Sequence, residues 1–266
     1  EFAVGHGVAT ENDSVGGRPC KLVRTCWIPL AEVERVEPAK IPTIELGMEK
    51  LATLRDHAAA KAALAELPKL YTAWIEAQRK KSPSRPQRRA DTAVELFKSA
   101  SRAAKRIEAG IDCLADPQVL ESFRLANKVM ARAARQRFGA LQNIDPAKVN
   151  TPEWRPFQLA FILLNLPGIV DPKNTDRDTV DLLFFPTGGG KTEAYLGLSA
   201  FTLVLRRLRN PGLSGAGVSV LMRYTLRLLT LDQLSREATL ICELELERQD
   251  DVPKLGPWPR PDSNRS

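Results

Sequence analysis

Pro186-Thr187-Gly188-Gly189-Gly190-Lys191-Thr192 is the stretch of this 266-residue chain whose residue types and spacing point most directly to chemistry. A triphosphate presents several negative charges on closely spaced oxygens. Backbone N–H groups can surround such an anion only where side chains do not intrude, and Gly188, Gly189 and Gly190 supply that clearance. Lys191 adds a fixed cation near the β and γ phosphates, and the Thr192 hydroxyl is of the type that ligates Mg²⁺. Pro186 and Thr187 shape the entry. The general phosphate-loop pattern, G-x-x-x-x-G-K-S/T, would place a glycine at position 185, where this chain has Phe185. That departure argues against the loops of kinases and small GTPases.

A phosphate loop needs a strand to deliver it and a helix to point its positive end at the anion. Val180 to Phe185 (VDLLFF) has the apolar content of a buried strand, and the residues from Lys191 to about Arg207 read as a helix. Asn210 to Gly217 is a turn, Val218 to Met222 a second apolar strand, and Leu226 to Arg248 a second long helix. Upstream, Thr151-Pro152 is expected to cap a helix through WRPFQLAFILLNL, with Pro167-Gly168 as its stop. Strand, helix, strand, helix in this order predicts a parallel sheet with right-handed crossovers. The expected class is therefore α/β, with residues 151–266 forming the first part of a P-loop sheet domain.

The rest of the chain is read as two preceding segments. Residues 1–46 are expected to be β-rich: Gly16-Gly17 signals a turn, and Lys21 to Leu30 alternates apolar and polar residues. Residues 47–150 are expected to be a helical subdomain. Leu51, Leu54, Ala58, Ala62 and Ala65 fall at helical spacing; Pro68 interrupts; Thr92 and Glu95 have the spacing of a capping box; Gly110 is a plausible stop; and Asp116-Pro117 opens a further helix to Gly139. Between two of these helices, Gln78 to Ala90 (QRKKSPSRPQRRA) is a basic loop without an acid. The net charge is +7, which favours an anionic partner, nucleic acid first. Four scattered cysteines and two histidines offer no cluster for structural zinc. No apolar run is long enough to cross a membrane.

PTGGGKT resembles motif I of superfamily 2 helicases and translocases, where alanine often stands in place of the first glycine. In that family an arginine-aromatic-glutamine element upstream recognises adenine, and Trp154-Arg155-Pro156-Phe157-Gln158 is similar to it. The resemblance implies that Gln158 bonds the adenine edge. A glutamine amide carries both a donor and an acceptor, which suits that edge. Motif Ia of the family touches the DNA backbone after the second strand, and Val220 to Gln233 resembles it loosely, which makes Arg223, Thr225, Arg227 and Gln233 the candidate DNA contacts. The longer run from residue 151 to 249 is similar to the helicase subunit of DISARM phage-defence systems. That resemblance implies a RecA-like parallel sheet, ATP and Mg²⁺ as cofactors, and DNA as substrate. It also implies partnership with a DrmB-like protein and a methyltransferase system, in a bacterial cytoplasm.

A motor of this family hydrolyses ATP with an acidic DExx box and an arginine finger. Glu243, Glu245 and Glu247 lie in a helical pattern, not after an apolar strand, and Asp250-Asp251 falls in a polar tail. The expectation is a segment of a longer helicase chain that binds ATP and Mg²⁺ through Thr187 to Thr192 but cannot complete hydrolysis alone. A nucleotide-binding scaffold that docks partners without moving along DNA is the alternative reading.

Overall fold

The computed structural model describes residues 8–12, 20–27, 41–184, 189–223 and 227–250, less the side chains of residues 27 and 227–230. The chain divides into two units, residues 1–37 and 38–266. In the first, β1 (Ala9–Asn12) pairs antiparallel with β2 (Val23–Trp27), Ala9 opposite Trp27 and Asn12 opposite Val23, with an irregularity between Ala9 and Thr10. Arg24 and Glu11 form an ion pair across this ribbon. The expected turn at Gly16-Gly17 lies outside the described residues.

The second unit is helical. Its elements are α1 (Met48–Leu51), α2 (His57–Leu64), α3 (Glu66–Arg79), α4 (Gln87–Cys113), α5 (Pro117–Gln142), α6 (Pro156–Val170), α7 (Lys191–Arg209) and α8 (Arg227–Asp250). Local chemistry sets several of the ends. Asp56 caps α2 by accepting from the Ala59 N–H at 2.8 Å. Asp116 caps α5 with Pro117 in the first turn, and α5 stops at Asn143 in the left-handed region, φ 53°. Pro68 sits in the first turn of α3, where a missing N–H costs nothing, so it does not divide that helix.

Other boundaries correct the sequence reading. Thr92 does not cap: its hydroxyl donates to the Arg88 carbonyl at 2.8 Å inside α4, which starts at Gln87 and shortens the basic loop. Thr151-Pro152 does not open α6, because its backbone is paired elsewhere: the Pro152 carbonyl accepts from the Met48 N–H, and the Trp154 N–H donates to the Leu46 carbonyl. Pro167 does not end α6, which continues to Val170. Pro167 has no N–H to give the Leu163 carbonyl four residues back. That freed carbonyl faces Gly110, which lies inside α4 and does not stop it. A Cβ on Gly110 would come within 1.9 Å of the Leu163 oxygen.

The helices of residues 47–150 and those after 151 share one core. Leu51, Leu64, Ile111, Leu114, Phe123, Val129, Leu159, Leu163, Leu166 and Phe201 are all in it and nearly inaccessible. Within it α6 packs on both α4 and α7, and α5 packs on α1, α7 and α8. Trp154, the one buried indole among the described residues, donates from Nε1 to Asn127 Oδ1 at 2.7 Å.

The expected RecA-like parallel sheet is overturned. Among the described residues the only sheet is the antiparallel β1–β2 ribbon, and the second unit is a helical assembly. Residues 180–184 and 218–223 carry no ladder, and Val180, Leu182 and Phe184 are 94%, 85% and 89% exposed. The apolar runs were read as buried strands from composition. A strand, however, also needs a neighbour to satisfy its N–H and C=O groups, and no described segment pairs with either run. Residues 175–181 are instead tied to α4. Arg106 makes a two-pronged bond to Asp181 at 2.5 and 2.7 Å, and Arg102 donates to Asp176 at 2.7 Å and Thr179 at 3.1 Å.

The glutamates of α8 serve packing. Glu247 accepts from Lys128 at 2.5 Å and Arg132 at 2.9 Å on α5, and Glu245 pairs with Arg248. Glu243 is 7% exposed, and burial, partly offset by the charge of Arg132, raises its carboxyl above the ordinary range. A carboxyl whose folded pKa is raised destabilises the fold when ionised, and protonation relieves that cost as pH falls. Glu243→Gln is therefore expected to raise the thermal midpoint at neutral pH. The advantage should fade on acidification and be gone below about pH 4.5, the range of an unperturbed glutamate. Thermal melts of both proteins across pH check this; a lower midpoint for the variant at pH 7 would refute it.

Candidate nucleotide site

The predicted loop meets the structure at the start of α7. Gly190 immediately precedes the helix with φ +87°, a conformation that glycine adopts without steric cost. No side-chain cap hydrogen bond is made at the Gly190 start of α7. Lys191 and Thr192 sit in that turn and are half-buried. Thr187 and Gly188 lie outside the described residues, as do Phe185 and Pro186.

The loop is braced from α6. Gln158 is 3% exposed and fills the corner between the two helix starts. Its Nε2 donates to the Gly190 carbonyl at 2.7 Å, and its Oε1 accepts from the Arg155 backbone N–H at 2.7 Å, which also closes the first turn of α6. The Arg155 guanidinium donates to the Gly189 carbonyl at 2.7 Å. The carbonyls of Gly189 and Gly190 are both held in this way. There is no room for a larger residue: a Cβ on Gly190 would come within 2.8 Å of Gln158 Nε2. The starts of α6 and α7 converge here, so two helix dipoles present positive ends to one place.

Beside Gly190 opens a cleft of about 700 Å³, lined by Arg137, Arg155, Gln158, Gly190, Glu193 and Arg236 among others, with Lys191 and Thr192 outside its lining. Glu193 accepts from Arg137 at 3.2 Å and also pairs with Arg236, linking α7 to α5 and α8. Sequence reasoning passed over Arg137, Glu193 and Arg236. Their only signal is the position of Glu193 directly after Lys191-Thr192; the arginines come from distant helices. The fit to a triphosphate is favourable: an uncapped helix start, a left-handed glycine, a lysine and a hydroxyl in the first turn, and arginines at the rim. Among the described residues no group of three or more histidines, cysteines or acids is placed to hold a metal ion by itself.

The candidate DNA contacts fare differently. Arg223 is exposed at the end of the 218–223 segment, beside a groove that also involves Phe161, Tyr195 and Met222. Thr225 lies outside the described residues, and Arg227 begins α8 with its side chain undescribed. Gln233 is 9% exposed, its Nε2 donating to Asp232 at 3.3 Å, so it is not presented at the surface.

No protein-family model matches the chain. It is, however, 36% identical over 269 aligned residues to a protein of Bacillus paralicheniformis, across 93% of the present sequence. The chain resembles the DISARM protein DrmA. It spans about a quarter of the length of that relative, 24%. Coverage this wide takes in part of the helical block as well as the phosphate loop, so the likeness to DrmA extends beyond residues 151–249. No helix among the described residues is long and apolar enough to cross a membrane.

Proposed function

We propose that this chain is the part of a DISARM defence motor that binds ATP and Mg²⁺, within a superfamily 2 helicase or translocase that acts on DNA. The observation that carries the reading is the P-T-G-G-G-K-T loop feeding α7 through a left-handed Gly190 while Arg155 and Gln158 hold its carbonyls from behind. The likeness to DrmA supports the defence assignment. Lys191 and the N–H groups of the α7 first turn hold the phosphates, and the Thr192 hydroxyl ligates the metal. Thr187, Gly188, Gly189 and Gly190 form the cradle. A Mg²⁺ ion held there by the Thr192 hydroxyl would neutralise phosphate charge. Gln158, though buried, lines the cleft and retains one amide hydrogen and one lone pair beyond its two protein bonds, and these are the groups it would offer to the adenine edge. Arg223, Thr225 and Arg227 contact the DNA backbone. Gln233 is left out of that set because its side chain is buried.

Hydrolysis is not assigned to the acids of α8. Glu245 and Glu247 are committed to ion pairs and Glu243 is buried in the packing. A DrmB-like protein and a methyltransferase system are the proposed partners, in a bacterial cytoplasm.

The test is equilibrium titration of the full-length protein with a fluorescent ATP analogue and Mg²⁺, competed by ATP or GTP. Saturable binding is expected, and its absence overturns the reading. Gln158→Ala is expected to weaken ATP by about tenfold, the loss of roughly one charged or well-placed hydrogen bond, and to narrow the preference for ATP over GTP. Equal losses for both nucleotides would remove base reading from Gln158 and leave it a brace.

A further inference from the structure

We propose that the corner between α3 and α4, residues 79–105, binds the sugar-phosphate backbone of nucleic acid without reading its bases. This inference concerns a surface separate from the phosphate loop and does not rest on the nucleotide reading. Residues 79–105 hold nine lysines and arginines against two acids, a net of +7, which equals the net charge of the whole chain. The remaining residues are therefore neutral in sum. All nine cations, at positions 79, 80, 81, 85, 88, 89, 98, 102 and 105, are exposed.

Their partners distinguish them from the cations of α5. All five cations of α5 (Arg124, Lys128, Arg132, Arg135 and Arg137) are held in ion pairs. In the corner, only Arg79 and Arg102 are so held, by Glu76 and Asp176. Lys80, Lys81, Arg85, Arg88, Arg89, Lys98 and Lys105 have no ion pair among the described residues. Where α5 pairs every one of its cations, this corner brings together seven without an ion pair, and such a concentration of positive charge presents a site for a polyanion.

The geometry favours a phosphate ladder. A groove of about 810 Å³ between α3 and α4 is lined by Arg79, Phe97, Lys98, Arg102 and Lys105. Lys98, Arg102 and Lys105 share one face of α4, spaced about 6 and 10 Å along its axis, and the 80–89 turn continues the cationic line past the helix start. Base stacking is absent from the design. Phe97 is the one aromatic residue in the segment, and the Arg79 guanidinium lies 5.9 Å from its ring centre. A bilayer is the weaker fit: α4 buries Ala104, Ile107 and Ile111 in the core, and only Val94 and Leu96 remain as large apolar side chains exposed on it.

The test compares the full-length protein with a variant carrying Lys80→Gln, Lys81→Gln, Arg85→Gln, Arg88→Gln and Arg89→Gln. Binding to a labelled short duplex is followed by fluorescence anisotropy over a range of salt, with nucleotide left out so that the outcome is independent of the phosphate loop. Each phosphate contact contributes about −0.9 to the slope of log K against log salt. The variant is expected to bind at least tenfold more weakly at low salt, with a slope shallower by roughly 3 to 4, equally for unrelated duplex sequences. Exchanging Arg85, Arg88 and Arg89 for lysine should leave both quantities nearly unchanged, since charge suffices. An unchanged slope in the glutamine variant, a loss confined to one DNA sequence, or loss of binding to phosphatidylserine vesicles with DNA binding intact would each overturn the proposal. The substituted side chains are exposed and outside any ion pair, and a matching thermal melt confirms that the variant is folded.

Discussion

Gly110→Val is expected to destabilise the protein by about 3 kcal/mol or more. The reason lies in the α4–α6 crossing. Even the Cβ of alanine would stand 1.9 Å from the Leu163 oxygen and 2.7 Å from its carbonyl carbon, both backbone atoms that cannot rotate aside. The two helices would have to separate, opening voids beside Ile107, Ile111, Leu159 and Leu166, which are at most 3% exposed. Valine adds a branched side chain in a helix, where it also restricts rotamers. Urea denaturation gives the measurement, with Ala109→Val as a neighbouring control at an exposed position of the same helix. A Gly110 variant within about 0.5 kcal/mol of the parent, the range of ordinary surface changes, would show that the crossing is looser than described.

Lys191→Ala should remove most of the nucleotide affinity. Lysine in the first turn of α7 is the one side chain of the loop that brings a full positive charge to the phosphates, and a hydrogen bond to a charged group contributes about 1.5–3 kcal/mol. That corresponds to roughly 10- to 150-fold in the dissociation constant for ATP. DNA-stimulated turnover in the full-length protein should fall further, because charge developing on the transferred phosphoryl group is stabilised at the same position. Titration with the fluorescent analogue and a steady-state ATPase assay measure the two effects. ATP turnover that survives the substitution would show that the loop is not the nucleotide site. Because Lys191 is in a helix first turn and half-buried, a thermal melt belongs beside both assays to separate lost binding from lost folding.

The candidate phosphate loop stands out in the sequence because its signal is local: three glycines, a lysine and a threonine in succession, of which the structure describes Gly189 to Thr192. The helices were legible as elements for a similar reason, since periodic apolar residues and the Asp116-Pro117 start are short-range signals. Their ends were less so. Thr92 has the spacing of a cap, yet its hydroxyl is used within the turn before it. Gly110 has the look of a stop, but its lack of a side chain serves a neighbour brought close by tertiary packing. The sheet misled most. Val180 to Phe184 and Val218 to Met222 have the composition of buried strands, but burial of a strand depends on which other segment lies beside it, and no property of five residues encodes that. The brace at Gln158 was visible only as a candidate base reader; its bond to Gly190 needed the third dimension. The Arg137–Glu193–Arg236 link joins three helices and has no sequence spacing to betray it.

One consequence follows from the continuity of α4. It is a single rod of 27 residues, about 40 Å long at 1.5 Å per residue, with no proline inside it. Near its start stand Arg88 and Arg89; further along, Arg102 and Arg106 clamp residues 176–181, only a few positions before the glycine loop. The rod therefore carries both the cationic groove and the grip on residues 176–181. Arg102 belongs to both, lining the groove while holding Asp176. An anion seated in the groove would meet a guanidinium that already has a carboxylate partner.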